Sequence, residues 1–214
     1  MSLVLTPQKG LIFRIVHRDN VEWILDNGLH CANSAVLNPT YVAIGNPDLI
    51  DKRKGKAVAE PPGGFLSDYV SFYFTPYSPM LFNIKTGYNG IKRRANEEIV
   101  VLVSSLPKLV GIGISFLFTD RHAYLNAAQF SSNLDDLARI DWTILQARDF
   151  RRDPEDPGKV ERYQAEALVH QHLPVQALLG IGCHNVAVAE RLRTLTTNRG
   201  LDLKVVVRSD WYFS

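Results

Sequence analysis

The apolar positions of this chain fall in short runs separated by polar, glycine- and proline-rich breaks, a pattern of strands interspersed with short helices. Leu11 to Val16 predicts a buried strand that ends at His17. Asp19 stands where a helix cap belongs, ahead of Val21, Trp23, Ile24 and Leu25, and Gly28 closes that helix. After a long polar connection from His30 to Gly45, Asn46 and Pro47 open a second helix, with Gly55 as its stop and one basic end, Lys52-Arg53-Lys54. Val70 to Phe74 is strand-like and is ended by Pro76, and Ser78-Pro79 opens another helix. Ile99 to Val103 is continuous and largely β-branched, as expected of a strand buried on both faces.

Phe116 to Phe118 predicts a shorter strand, and residues 133–140 a helix. Residues 141–163 read as a long exposed loop, densely charged from Arg148 to Gly158, and long ordered loops in compact domains often carry function. A strand over Gln164 to Val169 follows. Strands over 178–183 and 204–208 close the chain, with a helix from Val186 to Arg199 between them. The order lacks regular βαβ alternation, so the expected class is α+β with a largely antiparallel sheet. No repeat, low-complexity tract or linker divides residues 1–214, which read as a single domain.

Composition narrows the classes. The 214 residues are 46% hydrophobic and 21% charged, enough to build a core and too apolar for disorder. A formal net charge of +2 does not argue for nucleic acid by itself, so that case depends on where the charges sit. Cys31 and Cys183 lack CxxC spacing, which points away from a disulfide framework or a structural zinc. There is no signal-like N-terminus and no run near the roughly 18 apolar residues of a membrane span. The expectation is a reduced, cytoplasmic protein with no membrane or metal partner. Glycine-rich phosphate loops, HExxH and GxSxG are absent too, which lowers P-loop enzymes and metal hydrolases.

Glu166 is the most informative residue. It stands between Ala165 and Ala167 in an apolar stretch, and on a strand it shares a face with Gln164. A carboxylate there is expensive to bury unless paired, and the same pattern suits an edge-strand glutamate facing water. His17, at the end of the first strand, is placed to bond a ribose or phosphate, or to act as a surface cap. Arg53 lies among Lys52, Lys54 and Lys56, which also fits a solvated helix end. His122, after Phe118-Thr119-Asp120-Arg121, is open in the same way. Lys92-Arg93-Arg94 forms one basic group. Arg148, Arg151 and Arg152 with Phe150, followed by Arg162 and Tyr163, form another. Arginines mixed with aromatics on a loop suit single-stranded nucleic acid, although Asp149, Asp153, Glu155 and Asp156 also make an ordinary balanced loop.

Taken in order, Ile15-Val16-His17-Arg18-Asp19-Asn20, Trp23-Ile24-Leu25-Asp26-Asn27-Gly28-Leu29, Phe72-Tyr73-Phe74-Thr75-Pro76 with Ser78-Pro79-Met80, Phe118-Thr119-Asp120 with His122-Ala123, and Arg162-Tyr163-Gln164-Ala165-Glu166-Ala167 resemble the DarT family over nearly the whole chain. The resemblance implies an ADP-ribosyltransferase fold, a split central β-sheet around an NAD cleft. It also implies a toxin that transfers ADP-ribose from NAD to a base of single-stranded DNA, with a macrodomain antitoxin, DarG, as partner. The thymidine-modifying class is the closer one, with guanosine as the alternative base. On this resemblance Glu166 and Arg53 are the catalytic residues, and His17, Asn20, Gly28, Tyr73 and Arg53 hold NAD. Arg148, Phe150, Arg151, Arg152, Tyr163, Gln164 and His122 meet the DNA. Residues 141–163 become the substrate loop, and residues 32–56 an element that covers NAD. The alternatives are the same chemistry on RNA, protein or water, and a non-catalytic module that binds single-stranded nucleic acid.

Overall fold

The computed structural model describes residues 3–214, the side chain of Asn89 apart. Ten strands and seven α-helices follow one another as β1 (Leu11–His17), α1 (Val21–Asn27), β2 (Leu29–His30), α2 (Pro47–Lys54), β3 (Tyr69–Tyr73), α3 (Pro79–Thr86), β4 (Ile99–Ser105), α4 (Leu106–Gly111), β5 (Phe116–Thr119), β6 (Phe130–Ser131), α5 (Trp142–Ala147), α6 (Lys159–Tyr163), β7 (Glu166–His170), β8 (His172–Leu173), β9 (Gly180–Cys183), α7 (Val186–Thr197) and β10 (Lys204–Val207). Eight of the strands form one sheet in the order β10-β9-β4-β1-β3-β7-β5-β6, and β2 pairs with β8 apart from it. Among the described residues only β9 and β10 run parallel. The α+β, mainly antiparallel expectation holds.

The sheet is split at its centre. β1 pairs with β4 along its whole length, from Leu11 opposite Ser105 to His17 opposite Ile99. Its other neighbour, β3, meets it at a single pair, Phe13 opposite Tyr73. Beyond that pair the two halves diverge, and Arg14 crosses the gap by donating from Nη1 to the Ser71 carbonyl at 2.6 Å. On the far side β3 pairs with β7 from Tyr69 opposite His170 to Tyr73 opposite Glu166.

The continuous apolar run of β4 explains its place: Ile99, Val100, Val101 and Leu102 are all buried, with helices or loops over both faces. Burying each such side chain contributes about 1.5–3 kcal/mol, so these strands anchor the fold. Gly182 of β9 lies directly under the Trp211 ring, where a Cβ would collide with it, and Trp211 meets Phe13 edge-on at 5.5 Å. The C-terminal segment is thereby fixed across the sheet.

Several local expectations are corrected. Residues 141–163 are not an open loop throughout, since α5 and α6 occupy its two ends, where Leu145 and Tyr163 are drawn into the core; the loop itself is residues 148–158. Gln164 lies at the end of α6 and not on β7, so it shares no strand face with Glu166. Residues 134–139 form a 3-10 helix. Asp19 caps nothing by its side chain: His17 Nδ1 accepts from the Asp19 backbone N–H instead. Among the described residues no helix is long and apolar enough to cross a membrane.

Candidate active site

Glu166 opens β7 in the interior of the sheet, between β3 and β5, and is 3% exposed. It is not an edge-strand glutamate facing water. A carboxylate this deep requires partners, and two groups from other segments bond it while a third, His122, lies against it. Arg53 Nη1 lies 2.9 Å from Oε2 and 3.2 Å from Oε1. The Ala123 backbone N–H donates to Oε1 at 3.0 Å. His122 Nδ1 stands 3.5 Å from Oε1, but that nitrogen already accepts from the Tyr124 N–H at 3.1 Å. His122 therefore presents a lone pair at Nδ1 and, when neutral, its proton at Nε2. Thr119 Oγ1 accepts from the Glu166 N–H and donates to the Arg121 carbonyl, which fixes the backbone beneath the carboxylate.

Arg53 reaches this point because of how α2 is built and docked. Asn46 Oδ1 caps the Asp48 and Leu49 N–H groups, and Pro47 occupies the first turn, where no donor is needed. The helix has no fully buried residue, so packing alone would not place it. Its C-terminal end is held by the following chain: the Lys56 N–H bonds Arg53 O, Leu66 N–H bonds Lys56 O, and Val58 and Leu66 pack with Tyr69 and Leu168. The Arg53 side chain is only 13% exposed, and among the described residues its buried Nη2 has no hydrogen-bond partner. A buried orphan donor on an always-charged group is costly, and an anionic ligand would satisfy it.

Tyr73 sits opposite Glu166, its hydroxyl 4.0 Å from Met80 Sδ. Its phenol is pushed well above the ordinary range, first by burial and then by the negative charge of Glu166, so it stays protonated. His17 is buried on β1 and does not touch Glu166. Its Nδ1 accepts from Asp19 N–H, and Nε2 donates to Glu98 Oε1 at 3.4 Å. It lies four residues along β1 from the pair opposite Tyr73, about 13 Å at strand spacing.

Asn20 is fully buried, and its amide is committed elsewhere. Nδ2 donates to Val42 O at 2.9 Å while Oδ1 accepts from Val42 N–H at 2.8 Å. It pins the segment around Val42. Gly28 holds φ at +79° after α1, and a Cβ there would collide with His172 and come within 2.6 Å of Leu173 O, so glycine is required for β2 to dock on β8.

The residues of the charged segment divide. Phe150 is half-buried, and Arg151 and Arg152 are exposed. Arg148 bonds the Asp210 carbonyl at 2.8 Å and lies over the Tyr77 ring. Arg151 pairs with Asp149, whose carboxyl is held far below its usual range by Arg151 and Lys159. Arg162 ties Asp156 to Asp141 and staples the loop shut at its base. Tyr163 is completely buried with its hydroxyl on the Tyr77 carbonyl, so its ring backs the loop and offers no face to a base. Gln164 is half-buried and bonds Val160 O.

Sequence reasoning missed Arg14, Thr119 and the Ala123 N–H. A lone charge inside an apolar strand was the available signal for Arg14. Nothing in the sequence marks a backbone donor.

The family described as ssDNA thymidine ADP-ribosyltransferase, DarT, matches residues 13–213. A DNA ADP-ribosyl transferase of Escherichia coli O127:H6 is 57% identical over all of this chain and 98% of its own length. The structure of Thermus sp. 2.9 DarT in complex with ADP-ribosylated ssDNA superposes with a TM-score of 0.89 at 32% identity, covering all of both chains. The same Thermus protein in complex with NAD+ gives a TM-score of 0.83 at 33% identity, over 97% of this chain and 99% of that one.

Proposed function

Since the chain belongs to the DarT family, we propose that Glu166 and Arg53 form the catalytic pair of its ADP-ribosyl transfer. The protein is a DNA ADP-ribosyltransferase: it takes ADP-ribose from NAD, places it on thymidine in single-stranded DNA and releases nicotinamide. The observation that carries the assignment is the buried Glu166–Arg53 pair at the mouth of the split sheet, with Arg53 Nη2 left without a partner.

The residues present fit NAD. The free Arg53 donor suits the diphosphate. Tyr73 walls the site as a neutral ring, and His17, about 13 Å along β1 from the Phe13–Tyr73 pair, serves the ribose by exchanging its Nε2 bond to Glu98 for a ribose hydroxyl. Asn20 and Gly28 serve NAD by shaping the cover and the turn beside it.

When the bond between nicotinamide and ribose breaks, nicotinamide leaves neutral with the electron pair and positive charge grows on the sugar. Glu166 stabilises that charge from a fixed, nearly dry position, the setting in which preorganised electrostatics act most strongly. A ring nitrogen of the base forms the new bond to the sugar carbon, and Glu166 accepts the proton which that nitrogen gives up. Phe150, Arg151, Arg152 and Arg148 meet the strand around the target base, and His122 offers its Nε2–H to it. The toxin role, a DarG-type macrodomain antitoxin as partner and action in the cytoplasm belong to the same proposal and are supported by the family resemblance.

Incubation of labelled NAD with single-stranded DNA, RNA and a protein mixture side by side tests the acceptor. Label is expected on DNA alone, and label on RNA or protein alone would sink the reading. Replacing Asn20 with alanine frees Val42 and loosens the cover, so KM for NAD is expected to rise about tenfold with a smaller change in kcat, measured by NAD titration at saturating DNA. An unchanged KM would mean that the cover does not act on NAD.

A further inference from the structure

Near the site lies an aromatic cluster of which the mechanism uses only Phe150. Phe82 of α3 is 37% exposed, and Phe150 and Phe213 are half-buried around it at 5.8 and 5.3 Å between ring centres. Phe213 in turn stacks on Tyr77 at 3.9 Å. The cluster adjoins the catalytic pair through two connections. Tyr77 follows Tyr73, the residue opposite Glu166, by four positions, and Phe150 rests on Tyr163, three residues before Glu166.

Cations border it. Lys85 lies one helical turn beyond Phe82 on the same face of α3, and Arg93 Nε bonds the Lys85 carbonyl at 3.1 Å. The acids nearby are engaged with other groups: Asp149 with Arg151 and Lys159, Asp210 with Arg208 and Arg148, Glu97 with His184, and Glu98 with Arg94 and His17. Lys85 and Arg93 form no salt bridge among the described residues, although Lys85 adds at longer range to the field that holds the Glu97 carboxyl below its usual range. An exposed ring backed by two half-buried ones and edged by cations outside any salt bridge gives single-stranded nucleic acid what it needs, a stacking surface for bases and counter-charge for phosphates.

We infer that Phe82, with Phe150 and Phe213, is a shelf on which nucleotides flanking the modified base stack, while Lys85 and Arg93 neutralise their phosphates. This rests on the reading of the site as a single-stranded-DNA transferase. It extends the contact surface from Phe150 of the charged loop to Phe82 and Phe213, which lie outside that loop.

The test compares transfer to a thymidine-containing strand of about four nucleotides with transfer to one of about twelve, in the wild type, Phe82→Ala and Lys85→Ala. The longer strand should have the lower KM in the wild type. Phe82→Ala should remove about tenfold of that advantage. Lys85→Ala, with a thermal melt as the folding control because Lys85 is half-buried, should lower the salt dependence of long-strand binding by about one phosphate contact. Fluorescence anisotropy of the labelled long strand reads the same losses without turnover. If both variants keep the wild-type long-to-short ratio and salt slope, the shelf is not a DNA subsite and its rings serve packing or a protein partner. Absence of wild-type transfer to either strand would instead overturn the underlying reading, and the shelf would then stand or fall by the anisotropy alone.

Discussion

Glu166→Gln is expected to give a folded protein that modifies DNA about a thousandfold more slowly. The substitution keeps shape and one acceptor oxygen, so the Ala123 N–H can still be satisfied. It removes the only full negative charge held against Arg53, and with it the group that opposes positive charge on the sugar. Because that charge is far larger in the transition state than in bound NAD, the loss falls on kcat much more than on KM. Quantifying the DNA adduct by mass spectrometry, with a circular-dichroism melt as the folding control, measures it. Near-native modification by the folded variant would show that Glu166 is not the catalytic acidic group.

Arg53 carries the second large effect. Arg53→Ala should lower kcat/KM by about a hundredfold or more, and Arg53→Lys should recover little of it. Nη1 spans both carboxylate oxygens while Nη2 remains free for a ligand, and a lysine ammonium cannot occupy both positions. Removal also leaves a buried carboxylate without its cation, at a cost of about 3–5 kcal/mol, so urea unfolding should show the variant to be less stable. NAD titrations separate the two consequences, since loss of the ligand contact raises KM and misplacement of Glu166 lowers kcat. Full rescue by lysine would reduce Arg53 to a point charge.

The seven longer strands were legible because each is a short apolar run bounded by turn residues, whereas β2, β6 and β8, two residues each, carry no such run. The helix start at Asn46-Pro47 was legible because cap and proline stand together. Glu166 stood out as a carboxylate among alanines, but its burial depends on β3 and β5 flanking β7, which no local pattern reveals. Its partner Arg53 is 113 residues away and looked like an ordinary basic helix end; only family resemblance linked the two. The charged segment misled in two ways. Its density of acids and arginines hid the apolar contacts of Leu145 and Tyr163, so α5 and α6 were read as loop. Composition also could not tell which aromatic turns inward: Tyr163 packs away, whereas Phe150 stays at the surface. Asn20 shows the same limit from the other side. A buried amide that copies a strand's hydrogen bonds onto Val42 leaves no trace in periodicity.

The measurement that tests the central claim most directly is mass spectrometry of single-stranded oligonucleotides, each containing one reactive base type, after incubation with the protein and NAD. The account predicts a single added ADP-ribose on the thymidine-containing strand and none on that strand with Glu166→Gln. An adduct on guanosine in its place would keep the enzyme and overturn the base. Consumption of NAD with no adduct on any strand would contradict the account itself.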